Sequence, residues 1–190
     1  DMLSEMVKNG VRPFANLYHF DMPFKLQEIG GWESREVVKA YVNFATTCFK
    51  EFGDLVFHWF TFNEPLGPIL GSYLEDFHYP NIIDFKRGAQ AAFNTILAHA
   101  MAVKSFKELN LDSKIGVILN LSPTYPRSQN KWDVEAAEIV DAFYTKSFLD
   151  PMVKGTFNEK LVSILKEYDQ MPEYTEDDLK IISENTSQIL

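Results

Sequence analysis

The sequence predicts an α/β fold in which parallel strands alternate with helices, laid out as part of a (β/α)8 TIM barrel. Three observations carry that expectation. First, β-branched and aromatic runs at Val11–Phe20, Val56–Pro65 and Lys114–Leu121 are separated by helical patterns. Such alternation builds a parallel sheet with right-handed crossovers. Second, neither G-x-G-x-x-G nor G-x-x-x-x-G-K-[ST] occurs, so no strand leads into a glycine-rich phosphate loop of an open, doubly wound sheet. Third, the strands end in polar residues, aromatic residues and proline: His19-Phe20-Asp21, Asn63-Glu64-Pro65 and Asn120-Leu121-Ser122-Pro123. Barrel enzymes carry their working residues at those strand ends.

In chain order, Met2, Leu3, Met6 and Val7 recur at helical spacing over residues 1–9, and Gly10 is a suitable stop. Pro13 sits near the start of the first strand, where a missing N–H matters least. A loop with Gly30-Gly31-Trp32 follows, and Ser34 can cap the next helix. That helix is marked by Val38, Tyr41, Ala45, Cys48, Phe49 and Phe52 at three- and four-residue steps, closed by Gly53. Its stripe of Tyr41, Phe44, Phe49 and Phe52 reads as packing on the sheet. After the second strand, residues 66–83 read as a long loop rich in Gly, Pro and aromatics. Asp84 is expected to cap a helix running to about Leu109, with Ala89, Ala92, Phe93, Ile96, Ala100 and Val103 inward. The third strand is almost wholly apolar, as a strand covered on both faces should be. The polar stretch Ser122–Lys131 then leads to a helix over Asp133–Leu149, a helical pattern over 158–168, and an acidic helix over Tyr174–Asn185 opening near Thr175.

The chain has 190 residues, enough for one domain with its own core. Three strands, however, do not close a barrel that takes eight strands and about 250 residues. The chain also begins at Asp1 inside an amphipathic pattern. Together these predict that residues 1–190 form a single partial barrel domain, a fragment of a longer protein. The net charge of −9 leaves no basic stripe for nucleic acid or an anionic membrane surface. No run approaches the length of a membrane-spanning helix. The single cysteine, Cys48, excludes an intrachain disulfide and reads as a buried, inert thiol on a helix face. No signal pattern opens the chain, which makes a cytoplasmic location the default expectation. No His, Cys and carboxylate group shows ligand-like spacing, so neither a metal nor another cofactor is expected.

The chemistry concentrates on one run, Val56-Phe57-His58-Trp59-Phe60-Thr61-Phe62-Asn63-Glu64-Pro65. A carboxylate ending an apolar strand with no basic neighbour is costly unless it is used or paired. On its own, Glu64 can equally be a solvated residue opening a turn, and Asn63 a turn former bonding its own backbone.

Leu17-Tyr18-His19-Phe20-Asp21-Met22-Pro23, then Gly30-Gly31-Trp32, then Thr61-Phe62-Asn63-Glu64-Pro65 resemble glycoside hydrolase family 1, the retaining β-glycosidases. The likeness extends through Asp76–Pro80, Ala98-His99-Ala100 and Asn120–Pro126 and so spans the chain. It implies a stretch equivalent to barrel strands three to five. Phe20, Leu66 and Ser122–Ser128 are more similar to the 6-phospho-β-glucosidase branch than to β-glucosidases carrying Trp at the first two positions. The resemblance thus implies hydrolysis of 6-phospho-β-glucosides. The alternatives are an unphosphorylated β-glucosidase or β-galactosidase of the same family, or a non-catalytic carbohydrate-binding piece.

By the resemblance, Glu64 is the general acid/base. Asn63 donates to the sugar 2-hydroxyl, and His19 hydrogen-bonds a glycone hydroxyl unless it is a core histidine satisfied by backbone. Asn120 and Tyr125 are expected to border the aglycone side, and Trp32 to belong to the core or rim. Retaining hydrolysis needs two carboxyl groups about 5–5.5 Å apart. The family's nucleophile lies in an Ile/Val-Thr-Glu-Asn-Gly setting that this sequence does not contain, since Glu184-Asn185-Thr186 has the wrong order. The chain by itself is therefore expected to be inactive. Open barrel edges further predict pairing into a homo-oligomer.

Overall fold

The structure, a computed structural model, describes residues 2–190; Asp1, at the start of the predicted N-terminal helix, lies outside them. Three parallel strands form one sheet in the order β1 (Phe14–Tyr18), β2 (His58–Asn63), β3 (Lys114–Ile118). Around them run α1 (Met2–Lys8), α2 (Phe24–Glu28), a 3-10 turn at Gly31–Glu33, α3 (Arg35–Phe52), α4 (Leu66–Tyr73) and α5 (Phe85–Glu108). After β3 come α6 (Lys131–Tyr144), α7 (Lys146–Leu149), a π turn at Asp150–Lys154, α8 (Glu159–Glu167) and α9 (Glu176–Glu184). The predicted alternation and parallel pairing are both present, as an arc of sheet that is not closed.

Each strand is shorter than its apolar run. The extra residues at Val11–Arg12 and Leu119–Leu121 lie outside the strands, while the Pro13 carbonyl accepts from the Phe57 N–H at 2.8 Å just ahead of the ladder. Asp84 caps α5 as expected, its carboxylate accepting from the Arg87 N–H at 3.1 Å. Thr175 and Asp178 form a reciprocal capping box at α9. Ser34 precedes α3 with extended backbone, but its side chain makes no cap bond.

Two expectations are corrected. Residues 66–83 are not a continuous loop, because Leu66–Tyr73 is helical. Pro68 falls in the first turn, where its missing N–H has no partner to lose. Gly71 allows Phe77 and His78 to lie against the helix, a space that a Cβ would occupy. The helix expected over Asp133–Leu149 starts earlier, where Asn130 accepts from the Trp132 N–H at 2.9 Å, and it breaks at Thr145 before α7.

The core lies between the sheet and α3 and α5. Val37, Val38, Tyr41, Ala45 and Phe49 bury one face of α3; Phe44 on the predicted stripe is exposed instead. Phe49 meets Trp59 and Phe106 edge-on at 5.0 and 5.2 Å. Helix α5 is enclosed by α3, α4, α9 and the 3-10 turn, so even Asn94, Thr95 and His99 on it are buried. Cys48 is half-buried and burial pushes its thiol up, in keeping with an inert role.

Beyond α9 the chain returns to the sheet along the other edge of β3. Ile189 bridges Gly116 in parallel, and the Gln188 N–H donates to the Ile115 carbonyl at 2.9 Å. Gly116 permits this approach, since a Cβ there would strike the Ile189 backbone.

Candidate active site

The site is built at the C-terminal end of β2, and a slip in register shapes it. Phe60 pairs with Gly116 and Asn63 with Ile118, so three steps along β2 match two along β3. This is a bulge, rare in parallel sheets, which adds one residue to the bulged strand. Thr61 and Phe62 are both fully buried and both meet the helix layer. Thr61 Oγ1 lies 2.7 Å from His99 Nδ1 of α5, while Phe62 stacks on Tyr41 of α3 at 4.7 Å. Strict alternation would point Asn63 with Thr61 into the helices. The extra residue instead frees Asn63 to turn toward the end of β1.

There, the Asn63 side-chain amide donates to Nε2 of His19 at 3.2 Å. Glu64 follows in the left-handed region with φ +42°, uncommon for a residue with a Cβ and a mark of local strain at functional sites. Its backbone is held from both sides: its N–H donates to the Ile118 carbonyl at 2.8 Å, and its carbonyl accepts from the Gly67 N–H at 2.9 Å. Among the described residues the Glu64 carboxylate takes part in no hydrogen bond or ion pair. The half-buried group is thus aimed by its backbone and left available for a substrate. Phe20, at the matching end of β1, is also left-handed at φ +72°, and its ring lies over Gly67 at the start of α4.

Two supports stand behind these strand ends. Trp32 is core, meeting Tyr18 and Phe62 edge-on at 5.3 Å each, and these two residues directly precede His19 and Asn63. The far end of α4 is clamped by Glu33, which accepts from Tyr73 Oη at 3.0 Å and from Arg87 Nε at 2.8 Å and Nη2 at 2.9 Å. Burial, then the Glu33 charge, pushes the Tyr73 phenol well up, so it stays a donor.

Of the residues singled out from sequence, the structure brings together His19, Asn63 and Glu64. Asn120 lies two residues past β3, at the same edge of the sheet and exposed. Tyr125 is 82% exposed in the loop beyond, with no contact tying it to the other three. His58 is at the opposite end of β2, where Nδ1 accepts from the Lys114 N–H at 3.1 Å. His78 Nδ1 lies 2.9 Å from Ser72 Oγ, within the α4 connection.

Sequence reasoning gave Thr61, Tyr41 and His99 no role at the site. Tyr41 Oη donates to the Thr61 carbonyl at 2.6 Å, and the Thr61 hydroxyl donates to the Gly116 carbonyl at 3.1 Å. Burial holds the His99 imidazole down at about 4, with the Lys107 charge adding to it, so the ring is neutral. A histidine inside the apolar run Ile96–Val103 was the available signal, because such a ring has to find partners.

Comparison with known proteins gives the family. The model of glycosyl hydrolase family 1 matches residues 1–190. The 6-phospho-beta-glucosidase GmuD of Bacillus subtilis is 54% identical over 190 residues, covering 100% of this chain and 41% of that protein. Beta-glucosidase A of Acetivibrio thermocellus is 39% identical over 180 residues, covering 94% of this chain and 40% of its own. Among solved structures, the family 1 β-glucosidase from Thermotoga maritima superposes with a TM-score of 0.88 at 33% identity, covering 97% of this chain and 41% of that one. The chain thus spans about two fifths of the length of the relatives it matches.

Proposed function

The chain belongs to glycosyl hydrolase family 1, and from that membership we propose that it supplies the acid/base half of a retaining β-glycosidase acting on 6-phospho-β-glucosides. The observation that carries the reading is Glu64 itself: a strained, backbone-clamped carboxyl at a strand end, beside the Asn63–His19 pair. In the reaction, the protonated Glu64 carboxyl gives its proton to the glycosidic oxygen as the bond from that oxygen to the anomeric carbon breaks. A carboxylate from outside these 190 residues attacks the anomeric carbon on the other face and forms a glycosyl ester. Water then attacks the anomeric carbon as its bond to the carboxylate breaks, gives a proton to the Glu64 carboxylate and releases the sugar with retained configuration. Asn63 donates to the 2-hydroxyl and His19 to a neighbouring glycone hydroxyl, contacts that tighten as charge develops on the ring. Asn120 and Tyr125 border the leaving group from the end of β3.

The phosphate assignment is supported by Phe20 and Leu66 and by the 54% identity with a 6-phospho-beta-glucosidase. The 39% identity with a beta-glucosidase favours, as the second reading, the same chemistry on an unphosphorylated sugar. An assay of the full-length enzyme on one aryl β-glucoside with and without the 6-phosphate separates them. Preference for the phosphorylated substrate is expected, and equal or better turnover of the plain glucoside overturns it. A cytoplasmic location is part of the proposal. No helix among the described residues is long and apolar enough to cross a membrane. Self-association through the uncovered strand edge completes the proposal.

A further inference from the structure

We infer that Thr61 and His99 form the positioning pair of this active site, holding the bulge in β2 that delivers Asn63 and Glu64 to the mouth of the barrel. The inference rests on the reading of Glu64 as the acid/base and adds residues that touch no substrate.

A bulge interrupts main-chain pairing, so it persists only where other bonds hold it. Thr61 has three. Tyr41 donates to its carbonyl from α3, its hydroxyl donates to Gly116 on β3, and His99 reaches its hydroxyl from α5. Gly116 is the residue at which the register slips, so the hydroxyl ties the two strands together across the slip. A hydroxyl has one proton. Thr61 gives that proton to the Gly116 carbonyl; the His99 ring stands 2.7 Å from the Thr61 hydroxyl at Nδ1 and 3.3 Å from the Ser187 hydroxyl at Nε2, and also hydrogen-bonds the Met152 backbone. Ser187 in turn lies in the segment that bonds to β3, its N–H donating to the Met152 carbonyl at 2.8 Å. His99 therefore joins the bulge, α5 and the next strand position in one buried chain of bonds. Glu64 is three residues from Thr61, and a shift of about 1 Å in a reacting group costs up to roughly 10²-fold in rate.

The test uses full-length enzyme and two aryl glycosides, one with a poor and one with an activated leaving group. Thr61→Val removes only the hydroxyl, and His99→Leu removes both ring contacts. Each is expected to lower kcat/KM on the poor leaving group at least about tenfold more than on the activated one, which needs no proton in the first step and loses only the Asn63 contact. Thr61→Ser keeps both bonds and should stay within about threefold of the parent on both. His99→Asn keeps an N–H toward Thr61 and should retain the parental ratio between substrates. A purely structural role lowers the folded fraction and cuts both substrates by one factor, and that result overturns the inference. So does parental activity in folded Thr61→Val. If Thr61→Val and His99→Leu do not fold, His99→Asn decides, since loss of the poor substrate alone in that variant contradicts the Nδ1 contact. Glu64→Gln run in parallel separates the two readings. If it shows the leaving-group effect while Thr61→Val does not, only the positioning role fails; if Glu64→Gln shows none, the acid/base reading itself fails.

Discussion

The Asn63 amide donates to Nε2 of His19 at 3.2 Å, joining the end of β2 to the end of β1 before any substrate arrives. Each side chain therefore orients the other, and a sugar hydroxyl has to enter an arrangement already set. Replacing Asn63 by Ala should lower kcat/KM by about 10²-fold, the cost of one donor aimed at developing charge. On a 2-deoxy glycoside, which lacks the hydroxyl Asn63 serves, parent and variant should differ by only a few-fold. An equal loss on both substrates contradicts the 2-hydroxyl contact.

The His99 imidazole is held at about 4 by burial, against about 6.5 in an unfolded chain. Between those values the unfolded state binds the extra proton and the folded state does not. Stability is therefore fully kept above about pH 6.5 and declines as pH falls toward 4, by up to about 3 kcal/mol. Urea midpoints at pH 7.5 and 4.5 should drop more steeply for the parent than for His99→Asn. Parallel profiles would show that His99 is not the group responsible.

The 190-residue chain alone should not hydrolyse aryl glycosides, phosphorylated or not. It carries Glu64 but no Thr-Glu-Asn-Gly run, and one carboxyl group does not complete a double displacement. Turnover above background by the purified chain contradicts this.

Strand β1 pairs only with β2 among the described residues, and Phe14 on it is 56% exposed. An unpaired edge beside exposed aromatic surface favours association with another copy. Sedimentation of the chain at tens of micromolar should show a dimer or larger species, and a clean monomer counts against the proposed pairing.

The strands and long helices were legible because each depends on local pattern: aromatic and β-branched runs for β1 to β3, three- and four-residue spacing for α3 and α5. The caps at Asp84 and Thr175 were legible for the same reason, since a short polar side chain reaches its own helix. Helix α4 was hidden by Gly67, Pro68 and Gly71, which break helices in general but here occupy the first turn or a close contact. At the site, Glu64, Asn63 and His19 could be named from motif order. What sequence did not disclose was how Asn63 escapes the helix-facing side of β2. That depends on a bulge held by Tyr41, His99 and Gly116, which are 20, 38 and 55 residues from Thr61. The left-handed backbone of Glu64 is likewise braced from β3, by the Ile118 carbonyl.

Glu64→Gln in the full-length enzyme tests the central claim most directly. With a poor leaving group, kcat should fall by about 10²–10⁴-fold, because the departing oxygen no longer receives a proton. With an activated aryl leaving group the first step should survive, and azide should accelerate turnover by attacking the glycosyl ester without need of a general base. Equal losses on both substrates with no azide effect would contradict the assignment of Glu64 as acid/base.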